Sequence, residues 1–384
     1  MASDRTPIHI VGAGPAGLAA AITIAQSDRQ AIVHERAHDV GGRFHDDFQG
    51  LENWTTTRDV LDGLASFGIE IGFDHTPFRE TVVFDPSGRP HRYGSPKPLY
   101  YLVRRGPGPG TLDASLKAQA HACGVEIRFD EARPHVPEGG IVAAGPRGAD
   151  VIAVGYVFET DETDAAYGAV GDHLAPKGYA YLLLHGGRGT VAACLFDDFH
   201  NERTYLERTV GFFEDKVGLE MRNPRRFGGA GNFAVPQSAQ RGRLLLAGEA
   251  AGFQDPLWGF GMRYAIVSGH LAARAVLNGD LALYDRSWQS RFGGLLRTGF
   301  VNRYLYAKLG DRGYAVLTRR LDRSTDVRAR LHRYYGPSLA SRLLYGWAHH
   351  SVCSRRAEAF CVMDGCDCTW CRCQHATPPS PVPA

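Results

Sequence analysis

No run of about 18 apolar residues occurs in the chain, which argues against a membrane-spanning helix. Charge of one sign is also scarce. Lys and Arg number 43 against 41 Asp and Glu, a net +2, so the whole chain is no polyanion binder and nucleic acid is not an expected partner. The 16 histidines are scattered along the chain, and no Ser/His/Asp set can be read from spacing. The apolar stretch 8–25 follows Arg5 without a clear cleavage site, so it reads as a mature cytoplasmic start rather than a signal peptide. Cysteine is sparse in the body, where Cys123 and Cys194 stand alone and read as buried small hydrophobes. No internal repeat is visible.

What is present is ordinary for a folded protein. Hydrophobic residues make up 44% and charged residues 22% of 384 residues. That excludes disordered, fibrous and polytopic membrane classes and suggests about two to three domains. The 46 Gly and 21 Pro imply many tight turns. Basic character is local: from Trp288 to Arg356 there are 14 Lys and Arg against three Asp, a local excess of +11. This is either a solvated Arg-rich helical surface or a surface for anionic substrate or membrane headgroups.

The chemistry begins at the N-terminus. An apolar strand Ile8–Val11 runs into Gly12-Ala-Gly14-Pro-Ala16-Gly17, then a helical pattern to about Ser27 and a second strand at 31–34 ending in Glu35. Gly12 suits the tight turn, Gly14 lets the backbone approach a pyrophosphate, and Gly17 permits close helix–strand packing. Glu35, 23 residues beyond Gly12, is placed to accept hydrogen bonds from a ribose hydroxyl. Together these predict a dinucleotide site, with Ala16 and Arg36 beside it. Gly41-Gly42-Arg43 then suits a loop folding back over the pyrophosphate, with Arg43 on a phosphate. This E-x5-GGR spacing resembles the flavin amine oxidases and favours FAD over NAD.

A second segment, 246–262, reads LAGEAAGFQDPLWGFGM. The buried strand 243–247 would deliver Gly248 and Glu249, whose carboxylate would hold ribityl or ribose hydroxyls. Pro256, Gly259, Gly261 and Met262 would turn into a helix whose N-terminus faces the flavin ring and stabilises negative charge there. This segment resembles GDAAGxxxPxxGxGxxxAxxSGxxAA of the geranylgeranyl reductase family, a branch of the para-hydroxybenzoate hydroxylase-like FAD proteins. Val103-Arg104-Arg105, a helix and Gly124-Val-Glu-Ile-Arg resemble another stretch of that family, in which an Arg reaches the cofactor. Arg104 or Arg105 is the candidate, and Arg104 is taken. Pro176-Lys-Gly-Tyr179-Ala-Tyr181 resembles its cavity-lining P-x-x-Y-x-W motif. Three departures stand out: Glu249 replaces Asp, Tyr181 replaces Trp, and no Cys follows the first βαβ unit, where some members carry one.

Tyr179 and Tyr181, two apart on a predicted strand, face the same side and either line a cavity or pack a core. Trp258 joins them as a cavity-lining candidate, and Trp54 is weighed likewise between core and substrate platform. No catalytic acid or base is assigned. The end of the chain carries Cys353, Cys361, Cys366, Cys368, Cys371 and Cys373. Cys366, Cys368, Cys371 and Cys373 could hold zinc or another soft metal, cycle through disulfides, or pack without either. No second GxGxxG follows a strand, so electrons would come from NAD(P)H met transiently or from a protein or quinone carrier.

The expected fold class is α/β: a doubly wound FAD-binding (Rossmann-like) domain, an inserted antiparallel β-sheet substrate domain and a helical C-terminal region. The expected boundaries are 1–150 with 240–285 for FAD, including an insertion at about 50–100, and 151–239 for substrate. Helices follow over 286–350, then the Cys-rich 351–375 and a disordered 376–384. By resemblance, the activity is hydride transfer between flavin N5 and a C=C bond of an apolar, isoprenoid or lipid-like substrate. A flavin monooxygenase, an amine-oxidase or desaturase-like enzyme, and a non-catalytic redox or metal-handling protein remain as alternatives. The expected location is cytoplasmic, with peripheral membrane contact as an option.

Overall fold

The computed structural model describes residues 6–133, 136–146 and 148–353. The chain opens with β1 (Ile8–Val11), α1 (Pro15–Ala25) and β2 (Ala31–His34). Next come β3 (Phe48–Glu52), α2 (Val60–Ala65), β4 (His75–Phe78), β5 (Glu80–Phe84), β6 (Pro90–Gly94) and β7 (Tyr100–Arg104). They lead to α3 (Leu112–Ala122), β8 (Glu126–Arg128) and β9 (Gly140–Val142). The middle of the chain is β10 (Val151–Glu159), β11 (Ala165–Ala169), β12 (Tyr179–His185), β13 (Arg188–Leu195), α4 (Glu202–Val217) and β14 (Arg222–Gly231). The last part is β15 (Gln240–Arg241), β16 (Leu244–Leu246), α5 (Met262–Leu277), α6 (Ala282–Trp288), α7 (Gly294–Asp322), α8 (Val327–Tyr335) and α9 (Leu339–Cys353).

The first sheet has the order β15-β16-β9-β1-β2-β8 and is parallel from β16 to β8, with Ile10 flanked by Val33 and Ile141. Its strands read as short apolar runs because both faces are covered; β2 is buried at every position. Helix α1 starts at Pro15, whose missing N–H costs nothing at a first turn, and nine of its eleven residues are buried. A Cβ on Gly269 of α5 would stand 2.0 Å from the Ala16 carbonyl, so the two helices meet backbone to backbone. The small residues of both segments make that approach possible. Thr111 caps α3 through Ala114 N–H at 3.2 Å.

The second sheet has seven strands in the order β14-β10-β13-β12-β11-β5-β6, antiparallel except for β11 beside β5. The expected antiparallel sheet is present within 151–239, and it extends beyond that segment. It recruits β5 and β6 from the 50–100 insertion, and inside 151–239 it includes the ten-residue β14, a glycine-rich strand. A three-stranded sheet, β3-β7-β4, bridges the two larger ones. The expected α/β class with a Rossmann-like layer, an antiparallel sheet and a helical C-terminal region is the architecture observed.

Helix α7 is broken at Gly310, where φ is 56° and ψ is −173°. Among the described residues no helix is long and apolar enough to cross a membrane.

Candidate functional site

A single cavity of about 940 Å³ runs from the β1–α1 turn to the inner face of α7 and α8. At one end the turn is shaped for close approach. Gly12 sits at φ +99°, with room for no side chain because a Cβ would lie 2.4 Å from Ala143 O. A Cβ on Gly17 would lie 1.9 Å from Gly12 O, whereas one on Gly14 would meet nothing within 4 Å. Gly14 therefore presents open backbone to the cavity, next to the N-terminus of α1, which has no side-chain cap and no acidic residue in its first turn. Unclaimed N–H groups with a positive helix end are an anion cradle. Glu35 is anchored by the N–H groups of Ala13 (2.7 Å) and Ala37 (2.9 Å) and borders the same space.

Arg43 and Glu249, 206 residues apart in sequence, pair at 2.6 Å beside the cavity. The other Glu249 oxygen, Oε1, is buried and takes no hydrogen bond from the protein. A buried carboxylate oxygen without a donor marks a place where a ligand hydroxyl belongs. Gln254 Oε1 is likewise unpartnered, while its Nε2 donates to Gly259 O at 2.8 Å.

The turn after Glu249 is held from behind. Asp255 accepts from the N–H groups of Leu257 (3.2 Å) and Trp258 (2.9 Å) and from the Tyr335 hydroxyl of α8 (3.0 Å). Burial pushes its carboxyl up to about 6, against the pull of those hydrogen bonds. Gly259, Gly261 and Met262 face the cavity, and α5 begins at Met262 without a side-chain cap. Arg263, one residue on, is buried against Glu52 at 2.5 Å and fixes α5 to the three-stranded sheet.

The far half of the cavity is apolar and aromatic. Tyr179 and Tyr181 share one face of β12 with ring centroids 6.2 Å apart, and both line the cavity. The Tyr179 hydroxyl donates to Trp258 O at 2.8 Å, and the Trp258 ring stands edge-on to it at 5.3 Å. Burial raises both phenols well above their usual range, so they stay neutral. Cys194, opposite Tyr179 in the β12–β13 register, also lines the cavity, and burial pushes its thiol up to about 12. Trp54 is both core and wall: it is 5% exposed, borders the cavity and meets Phe260 edge-on at 5.0 Å. Tyr93, Tyr306, Tyr314, Leu317, Leu321 and Leu331 close the end.

Of the residues singled out in the sequence, the structure brings Gly12, Gly14, Ala16, Glu35, Arg36, Gly42, Arg43, Gly248, Glu249, Gly259, Gly261 and Met262 to this one cavity, together with Tyr179, Tyr181 and Trp258. Gly17 and Pro256 lie behind it; Pro256 packs on Gly299, where a Cβ would be 2.6 Å from its Cδ. Arg104 is a correction. It points to the opposite face of β7, bound to Asp74 (2.8 Å) and Pro109 O (2.8 Å), and borders a separate pocket of about 470 Å³. Arg105 is the arginine at the cavity, buried and forked onto Asp113 at 2.8 and 2.9 Å, with its guanidinium 4.0 Å from the Phe44 ring. Adjacent strand residues face opposite sides, so one step in sequence exchanged the two roles.

Sequence reasoning missed Gly228–Gly231, which forms the cavity-lining end of β14. A glycine run inside a strand signals close backbone approach, and that was the readable clue. Cys361, Cys366, Cys368, Cys371 and Cys373 lie outside the described residues, as does the 376–384 segment, and nothing is described of the Cys353 side chain. Among the described residues no group of three or more His, Cys, Asp or Glu is placed to hold a metal ion. The residues present do fit FAD: an open glycine turn at a helix N-terminus, an anchored carboxylate, an arginine, a buried carboxylate oxygen lacking a donor, and a second uncapped helix start beyond it.

Comparison with known proteins gives a consistent result. A model of the NAD(P)-binding Rossmann-like domain matches residues 10–54. The digeranylgeranylglycerophospholipid reductase of Haloferax volcanii is 24% identical, aligned over 81% of this chain and 88% of that protein. Its namesake in Methanocaldococcus jannaschii is 21% identical over 84% and 92%. Among solved structures, a geranylgeranyl bacteriochlorophyll reductase-like protein of Thermoplasma acidophilum superposes with a TM-score of 0.69 at 18% identity, covering 92% of this chain and 99% of that one. The p-nitrophenol 4-monooxygenase of Pseudomonas putida gives 0.60 at 15% identity, over 86% and 100%. The resemblance read from the motifs thus extends over most of the chain.

Proposed function

We propose that this chain, an FAD-dependent oxidoreductase similar to the geranylgeranyl reductases, reduces a C=C bond in an isoprenoid or lipid-like substrate. The observation that carries the reading is the continuity of the cavity, whose glycine-and-carboxylate arm opens into an aromatic and aliphatic arm at the 255–262 turn. Bound FAD, once reduced by the external electron donor, would supply the hydride at N5. The α1 N-terminus and Arg43 would hold the pyrophosphate, Glu35 the adenosine ribose, and Glu249 Oε1 a hydroxyl of the linker. Arg105 would border the cofactor in the place first given to Arg104. Gly259, Gly261 and Met262 would meet the ring, and the α5 N-terminus would stabilise negative charge on it. Tyr179, Tyr181 and Trp258 would pack the alkene and exclude water. Tyr179, Tyr181 and Cys194 carry protons at this wall, all held neutral by burial.

Anaerobic incubation of the holoprotein with dithionite and a geranylgeranyl lipid in detergent tests the reading. The expected product has gained two hydrogens per reduced double bond, read by mass spectrometry. An unchanged lipid beside a fully bleached flavin spectrum, across a series of isoprenoid lipids, overturns it. A monooxygenase is the second reading, favoured by the shared fold with p-nitrophenol 4-monooxygenase; oxygen-dependent hydroxylated product would select it.

Three further parts of the proposal concern partners. Reducing equivalents come from NAD(P)H or a protein or quinone carrier that visits the flavin. The Cys366–Cys373 cluster binds zinc or another soft metal. The chain makes peripheral contact with a membrane.

A further inference from the structure

The exposed large apolar side chains among the described residues gather on the last three helices. On α9, Leu339 (77% exposed), Leu343 (85%) and Trp347 (59%) recur every four residues and form one outward stripe, with Leu344 beside it. The opposite face of α9 packs inward: Ser341 and Ala348 are buried, and the Tyr345 and His349 rings lie 6.2 and 5.1 Å from Phe300 of α7. This helix therefore shows its most apolar face to solvent. The Trp347 ring stands 4.3 Å from Tyr304, which joins the stripe to exposed Leu305 and Leu309 on α7.

The exposed charge on these two helices is mostly positive. Lys308, Arg312, Arg319, Arg320 and Arg342 are exposed on the same two helices. Against these five cations stand two acids on α7, Asp311, which accepts from Asp172 N–H at 2.9 Å, and Asp322, which accepts from Arg92 N–H at 3.0 Å. Leucine and tryptophan bordered by arginine suit the boundary between headgroups and acyl chains. A second copy of the chain would bring the same cations face to face in a two-fold contact, which works against that occupant. The inner face of α7 carries Tyr306, Tyr314, Leu317 and Leu321 of the cavity wall. A bilayer on the outer face would thus lie about one helix diameter, roughly 10 Å, from the apolar arm.

We propose that α9 and the outer face of α7 are a docking surface for an anionic phospholipid bilayer. The inference rests on the lipid-substrate reading, because only a membrane-resident substrate gives such docking a purpose.

The test uses full-length holoprotein and vesicles of equal parts phosphatidylglycerol and phosphatidylcholine, or of phosphatidylcholine alone. Co-sedimentation with the anionic vesicles, released by high salt, is expected. Leu343→Glu with Trp347→Glu should lower vesicle affinity on the order of ten-fold or more. Arg319→Gln with Arg320→Gln should lower it roughly five- to twenty-fold. Both variants should retain the flavin spectrum and turnover of detergent-dispersed lipid. Trp347 should be open to hydroxyl-radical labelling in free protein and protected on vesicles. Absence of binding, equal binding to both vesicle types, or wild-type binding by both variants overturns the proposal. Protection of Trp347 before vesicles are added also overturns it; sedimentation velocity then tells a dimer from cover by residues 354–384. Vesicle binding is read without turnover and turnover without vesicles, so either reading can fail alone.

Discussion

Gly14 and Gly17 stand three residues apart in one motif and should fail in opposite ways. A Cβ at Gly14 meets no protein atom within 4 Å, and its φ of −77° suits any residue. Gly14→Ala should therefore melt within about 1 kcal/mol of wild type as apoprotein yet lose FAD, read by thermal denaturation and flavin retention on gel filtration. Gly17→Ala drives a methyl to within 1.9 Å of Gly12 O and should unfold the chain or lower its stability by several-fold more. The neighbouring arginines separate similarly. Arg104 pairs with a largely exposed Asp74, so Arg104→Ala should cost about 0–1 kcal/mol in urea unfolding. Arg105→Met would strand the buried Asp113 carboxylate and should cost about 3–5 kcal/mol. These roles were unequally legible. The phosphate-type turn is local and can be read from residues adjacent in sequence. Which arginine faces the cavity depends on how β7 is registered between β3 and β4, and that is set by distant residues.

At the scale of elements, the 255–262 turn is the piece on which the reaction depends, and one carboxyl organises it. Asp255 is held by two backbone N–H groups and a tyrosine hydroxyl, with Glu52 adding repulsion. Its folded pKa of about 6 lies above the ordinary carboxyl value, so the folded chain holds the proton more tightly. Its contribution to stability is present at low pH and lost as pH rises through about 6. Asp255→Asn should remove that component, on the order of 2–3 kcal/mol across the interval, read as the difference between the two proteins' pH–stability profiles. The amide cannot accept all three hydrogen bonds, so FAD affinity should fall as well. Asp255 precedes Pro256 in the motif, yet its tie to Tyr335 spans 80 residues and no spacing rule announces it. Strand β14 was hard to read for another reason: glycine has low strand propensity, and pairing with β10 is what makes its Gly-rich end a strand.

For the whole molecule, the three sheets divide the labour. The parallel sheet presents the glycine turn, the seven-stranded sheet supplies the aromatic wall, and the C-terminal helices close the cavity. The two layers and the helical end were visible from the change in apolar period along the chain. One wall of the cavity was signalled by Tyr179, Tyr181 and Trp258, but its closure was not, because Tyr93, Tyr179 and Tyr306 come from elements more than 80 residues apart and meet only by packing. The Cys-rich end makes a prediction at this scale: purified holoprotein should carry zinc or another soft metal in stoichiometric amount by elemental analysis. Cys366→Ser with Cys371→Ser should abolish it while leaving bound FAD unchanged.

Helix α7 serves two masters, and Gly310 lets it do so. The segment before it bears Leu305 and Leu309 outside and Tyr306 on the cavity wall, and the segment after it bears Tyr314, Leu317 and Leu321 on that wall. A continuous helix would carry any load at one end to the other as a rigid rod. A left-handed glycine with open space around it breaks the rod into two levers that share a fulcrum. Each half is seated separately, the first through Phe300 and Tyr304 on α9 and the second through Thr318 and Asp322 on β6.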